Sequence, residues 1–125
     1  MGILSSILGN AGVIDPQKLA SNFADLLSEN ETIEVGFNVF RDKFIFTSKR
    51  LILVDVQGMT GSKIEYLSIP YSKITKYSIE TTGSFDLDAE LKLWIGSEPQ
   101  PIQKKFNKKV NIYDLQKVLS NHVLK

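Results

Sequence analysis

The chain contains no cysteine and only one histidine in 125 residues. Without a thiol there is no disulfide, no cysteine nucleophile and no Cys-ligated zinc or iron–sulfur centre. A single His, His122, rules out a multi-His metal site within one chain. Net charge is also scarce: 15 Lys and Arg against 14 Asp and Glu leave +1. A dedicated nucleic-acid binder carries a marked basic excess, so nucleic acid is not an expected partner. No stretch approaches the roughly 20 apolar residues that span a bilayer. Residues 1–14 carry no charged side chain and lack the positive start of a secretory signal, which points to the cytoplasm. Neither glycine-rich phosphate loop, G-x-x-x-x-G-K or G-x-G-x-x-G, occurs, and no cofactor is expected.

What is present is one domain's worth of ordinary soluble composition, 42% apolar and 23% charged. A chain this size can bury roughly two-thirds of its unfolded surface and needs no covalent staple. The small net charge hides four alternating blocks. Residues 1–40 carry −4, residues 41–78 carry +4, residues 79–98 carry −4 and residues 99–125 carry +5.

Hydrophobic spacing orders the elements. Ile3, Leu4, Ile7 and Leu8 recur at helical spacing, but eight residues do not hold a helix alone in water. Asp15-Pro16 starts a second helix, with Asp as N-cap and Pro at the first helical position. Leu19, Phe23, Leu26 and Leu27 give it one apolar face as far as about Ser28. Residues 1–28 thus read as an N-terminal helical extension of a single domain, 1–125.

The period then changes to two. Ile33, Val35, Phe37 and Val39 alternate with Glu34, Gly36 and Asn38, as in a half-buried strand. Further strands follow at Phe44–Phe46, Leu51–Val54, Ile64–Ile69, Ile74–Ile79, Leu87–Ile95 and Ile102–Phe106. Ile64 and Tyr66 lie on one strand face and Leu67 and Ile69 on the other, which predicts a bulge before Pro70. Asn111 caps a last helix, striped by Ile112, Leu115, Leu119 and His122 or Val123. About seven strands joined by short turns make an antiparallel meander, with the last helix as the natural plug of an open end.

The segments RDKFIFTSKRLILVD (41–55) and KIEYLSIPYSKITKYSIETTGSFDLDAELKLWI (63–95) resemble the single-domain bacterial pleckstrin-homology-like family. The turn Thr47-Ser48-Lys49-Arg50-Leu51 and the stretch Phe85-Asp86-Leu87-Asp88 before a Trp-bearing strand are the most specific parts. The resemblance spans nearly the whole chain. It implies a mostly β fold: a seven-stranded, partly open antiparallel barrel capped by a C-terminal helix, with N-terminal helices. It also implies assembly of subunits into closed cyclic rings, and no assigned biochemical activity.

Candidate sites follow. The first hairpin of eukaryotic pleckstrin-homology domains often clusters Lys and Arg for phosphoinositides; here Asn38–Lys43 offers two cations around an acid, a poor match. Arg41, Lys43, Lys49 and Arg50 are expected to converge at one hairpin end, facing an anion or the acidic segment of a neighbouring subunit. Ile3, Leu4, Ile7, Leu8 and an outward Trp94 are expected interface residues. Asp86, Asp88 and Glu90 share a strand face but lack the Gly and Glu of a calcium loop. Lys104, Lys105, Lys108 and Lys109 read as a solvated turn before the last helix. No acid–base or nucleophile constellation stands out. The function expected is therefore a non-enzymatic binding and assembly module that forms a homo-oligomeric ring, with a further protein partner open. The alternative is peripheral membrane or anionic-ligand binding through residues 1–14 and the basic hairpin, against which the lack of Lys or Arg in 1–14 counts.

Overall fold

The computed structural model describes residues 4, 7–8, 12–81, 89–107 and 109–124. Asp15 opens a helix as expected, its carboxylate accepting from the Gln17 N–H at 3.2 Å with Pro16 behind it. That helix, α1, spans Pro16–Asn22 and gives way to a 3-10 turn at Ala24–Leu26. The helical extension expected to run to Ser28 is thus broken at Phe23. Before it lies a two-residue strand, β1 (Val13–Ile14), too short to leave a period in the sequence.

The remaining strands are β2 (Ile33–Val39), β3 (Asp42–Thr47), β4 (Arg50–Gln57), β5 (Lys63–Pro70), β6 (Ile74–Glu80), β7 (Ala89–Ile95) and β8 (Ile102–Phe106). The described residues therefore hold eight strands rather than seven, and β1 is the addition. All ladders are antiparallel. β1 to β5 form one sheet in chain order, and β6 to β8 form a second. The last helix, α2 (Ile112–Val123), is capped by the Asn111 side chain, which accepts from the Tyr113 N–H at 3.0 Å.

One core lies between the sheets. Phe37, Phe44, Phe46, Leu91, Leu93 and Phe106 fill it from the strands, and α2 adds Leu115, Val118 and Leu119. Phe44 and Phe106 meet edge to face across the sheets, ring centroids 5.1 Å apart. The five-stranded sheet also buries its other face. There Leu19 of α1 packs on Ile45, Ile52 and Val54 as a second cluster. Gly36 permits this approach, because a Cβ at that position would collide with Leu19 Cδ1.

The strand register corrects one expectation. The β4–β5 ladder runs unbroken from Arg50↔Pro70 to Gln57↔Lys63, with no bulge before Pro70. The apolar residues on both faces of β5 do not mark a switch of strand face: Ile69 alone of them is buried, and Ile64, Tyr66 and Leu67 are exposed. Irregular register occurs instead between Ile33 and Val35 and between Ile74 and Lys76.

Candidate functional site

The four basic residues expected to converge do not. Arg41 sits in the β2–β3 turn and Lys43 at the start of β3, whereas Lys49 and Arg50 lie in and after the β3–β4 turn. The six-residue β3 separates these turns by roughly 17 Å at ~3.3 Å per residue. Nor do Lys49 and Arg50 face outward to an anion. Arg50 holds the Glu31 carboxylate through Nε and Nη2, at 2.8 and 2.9 Å. Its Nη2 also donates to the Leu26 carbonyl and its Nη1 to Ser68 Oγ at 2.7 Å. Lys49 Nζ donates to the Glu29 carbonyl at 2.8 Å. The acidic partner of these cations is thus the end of the chain's own N-terminal extension.

Glu31 is a buried carboxylate with every lone-pair direction used. Besides Arg50 it accepts from Thr47 Oγ1 at 2.5 Å and from the Ser28 N–H at 2.9 Å. The Arg50 guanidinium first, then the Thr47 and Ser28 donors, lower its pKa to about 2 against the opposing cost of burial. This is an anchor between residues 26–31 and the β3–β4 turn.

The C-terminal helix has its own anchor. His122 Nε2 lies 2.7 Å from Glu34 Oε1 on β2, and its ring stacks on Tyr71 at 4.1 Å between centroids. The Tyr71 hydroxyl donates to the Thr47 carbonyl at 2.7 Å. Burial, reinforced by the Glu34 charge, raises the Tyr71 pKa, so the phenol remains a donor. The lone His therefore clamps the helix end to the sheet.

Of the expected interface residues, Ile3 lies outside the described residues. Ile7 is 2% exposed and belongs to the core between the sheets, with Leu4 packed against it. The Leu8 N–H donates to the Leu4 carbonyl at 3.1 Å, and Leu8 is exposed. Trp94 is half-buried on the outer face of β7, with Lys76 Nζ 4.8 Å from its ring centroid. Asp86, Asp88 and the Phe85–Asp88 stretch lie outside the described residues, as does Lys108. Lys104 does not belong to a solvated turn. It points to the core side of β8 and sits 3.5 Å from Asp42 and 3.4 Å from Asp55. A Gln57 hydrogen bond holds the Asp55 pKa below the usual carboxylate range against desolvation, and Lys104 assists. Among the described residues no group of His, Asp and Glu is arranged to hold a metal ion.

One surface escaped the sequence reading. Among the described residues β5 pairs with β4 alone, at the edge of its sheet, and every residue of it but Ile69 is exposed. Ile64, Tyr66 and Leu67 stand out on it, 47%, 42% and 37% exposed where a core strand would be near zero. A groove of about 300 Å³ runs between β5 and the β7–β8 turn, lined by Leu67, Ile69, Pro70, Ile95 and Ile102 with Lys73 and Glu98 beside them. A second, of about 150 Å³, adjoins it at Leu67 and Ile102 and reaches Glu65, Asp55 and Lys104. The signal was there, in the apolar residues on both faces of 64–69. Its meaning depended on β5 having one neighbour instead of two. No helix among the described residues is long and apolar enough to cross a membrane.

Known proteins match this chain closely. The family model described as "Bacterial PH domain" matches residues 2–123. The uncharacterized protein YjqA of Bacillus subtilis (strain 168) is 49% identical over 121 residues, covering 96% of this chain and 97% of its own. The crystal structure of a pleckstrin homology domain from Shewanella amazonensis SB2B superposes with a TM-score of 0.85 at 43% identity, over 99% of this chain and 100% of the other. A DUF1696 family protein with a pleckstrin-homology domain from Shewanella loihica PV-4 gives 0.80 at 43% identity, over 93% and 99%.

Proposed function

The chain belongs to the bacterial PH domain family, and on that premise we propose that it is a non-enzymatic binding and assembly module of the cytoplasm that forms a homo-oligomeric ring. The observation that carries this reading is the open edge of β5. Among the described residues no strand pairs with the outer side of this eight-residue strand, and Ile64, Tyr66 and Leu67 stand exposed along it. An unpaired edge of this length templates pairing with another chain; Lys63, Glu65 and Pro70 stand on it among the exposed apolar residues. The alternating charge of the four sequence blocks supports contact between copies by complementary patches.

The membrane or anionic-ligand alternative has less support. Lys49 and Arg50 are spent on the chain's own residues 26–31, and Ile7 is spent on its own core. Light scattering in line with size exclusion tests the assembly. A mass several times 14.0 kDa is expected. A single monomeric peak at micromolar concentration overturns the proposal.

A further inference from the structure

The two grooves beside β5 are continuous. Leu67 and Ile102 line both, so the hollow of about 300 Å³ at the β7–β8 turn runs on into the one of about 150 Å³. Together they have the size of a small-molecule site. The floor is apolar through Leu67, Ile69, Pro70, Ile95 and Ile102. The two ends differ in charge. At the β7–β8 turn, Lys73 and Glu98 stand beside the floor with opposite signs. At the other end the walls are Asp55, Glu65 and Lys104, with Asp42 3.5 Å from the Lys104 ammonium. One ammonium there faces three carboxylates.

Of the three, Glu65 is the one without an answer. Asp42 accepts from the Val56 N–H at 2.8 Å, and Asp55 accepts from Gln57 Nε2 at 3.0 Å. Both also share Lys104. Among the described residues no hydrogen bond or ion pair reaches Glu65, not even from Lys63, two residues back on the same strand face. Its cross-strand partner on β4 is Asp55. Like charges directly opposite on a ladder are destabilising, and a cation at Glu65 would offset them.

We propose that this groove binds a small lipophilic amine, its ammonium donating to Glu65 and its apolar body lying over Leu67 and Ile102 towards Ile95. A lipophilic anion would be repelled at the acidic end, and a neutral molecule would leave Glu65 opposed to Asp55. A peptide strand would need the hydrogen-bonding edge of β5, whereas an amine needs only the side chains that line the groove. The site therefore goes beyond the assembly reading and does not depend on it. The strand from Glu65 to Ile69 runs about 13 Å at ~3.3 Å per residue, which sets the length of the molecule.

The test titrates the isotope-labelled full-length chain with n-octylamine and follows its amide resonances. Octanoate and octanol serve as anionic and neutral probes of the same length, at neutral pH, where the amine is charged. Saturable shifts are expected for n-octylamine, confined to the neighbourhood of residues 65, 67 and 102. Octanol should bind about fivefold more weakly, and octanoate should not saturate. Glu65→Gln and Leu67→Ala change exposed positions, and their spectra should remain those of the folded chain. Each should weaken n-octylamine by about fivefold. Unchanged affinity in Glu65→Gln overturns the proposal, as does octanoate or octanol binding as tightly as the amine. Shifts scattered over the surface would mean an adventitious additive only and would overturn it too. So would binding of a short apolar peptide carrying lysine where n-octylamine does not bind.

Discussion

Arg50 grips the Glu31 carboxylate with two of its nitrogens while the same guanidinium holds the Leu26 carbonyl and Ser68. One side chain thereby joins the N-terminal extension, the β3–β4 turn and β5. The planar fork of Arg suits this; the point charge of Lys does not. Replacing Arg50 with Met leaves Glu31 buried without its cation and should cost about 2–4 kcal/mol, near the range for breaking a buried pair. Arg50→Lys should recover only part of that. Urea unfolding measures both, and limited proteolysis should cut Arg50→Met faster in residues 26–31.

The same pair makes stability depend on acid. Glu31 titrates near 2 in the folded chain and near 4.5 unpaired. A carboxylate with a depressed folded pKa contributes stability above its unfolded pKa and loses it as pH falls towards the folded one. Unfolding free energy should therefore decline between pH 4.5 and about 2. Glu31→Gln should be less stable at neutral pH, and its difference from the native chain should shrink across that window. A constant difference at all pH values would remove Glu31 from the acid response.

Gly36 is predicted to resist even the smallest substitution. Its φ is unremarkable, but the missing Cβ is the space that Leu19 Cδ1 occupies. Gly36→Ala should destabilise by about 1–3 kcal/mol through overpacking. Leu19→Ala alone opens a cavity and should cost about 2–5 kcal/mol. The double variant should cost less than the sum of the two, because each change makes room for the other. Strict additivity in thermal or urea unfolding would mean that the clash is not what constrains this position.

Tyr71→Phe keeps the ring stacked on His122 and removes one buried hydrogen bond, leaving the Thr47 carbonyl without its 2.7 Å donor. The expected loss is about 1–2 kcal/mol. His122→Ala removes the stacking and the Glu34 contact together, and should loosen the last turn of α2. Amide hydrogen exchange of residues 119–123 reads that loosening. Unchanged exchange would show that Leu115 and Leu119 alone dock the helix.

Much of the fold was legible because it follows from local rules. Asp15-Pro16 and Asn111 announce helix starts through the orphan N–H groups they satisfy. The alternation of Val35, Phe37 and Val39 announces a strand through the two-residue period of side-chain direction. The candidate site was much less legible. Arg41 and Lys43 were grouped with Lys49 and Arg50 by nearness in sequence, yet a strand of six residues carries its two ends apart. The β1 strand, at two residues, is shorter than any period.

The absence of cysteine, the single histidine and the near-zero net charge by themselves closed thiol chemistry, Cys-ligated metals and multi-His sites. The spacing of apolar residues by itself determined a strand meander flanked by helices. Only the tertiary structure decided which charges are spent inside the chain and which remain outside. Arg50 reaches Glu31 across 19 residues, and Lys104 reaches Asp55 across 49. Such pairs depend on how strands stack, and separation along the chain carries no trace of that stacking. For the same reason β5 reads as any other strand until its sheet ends there. An edge is a missing neighbour, and sequence records neighbours only along the chain.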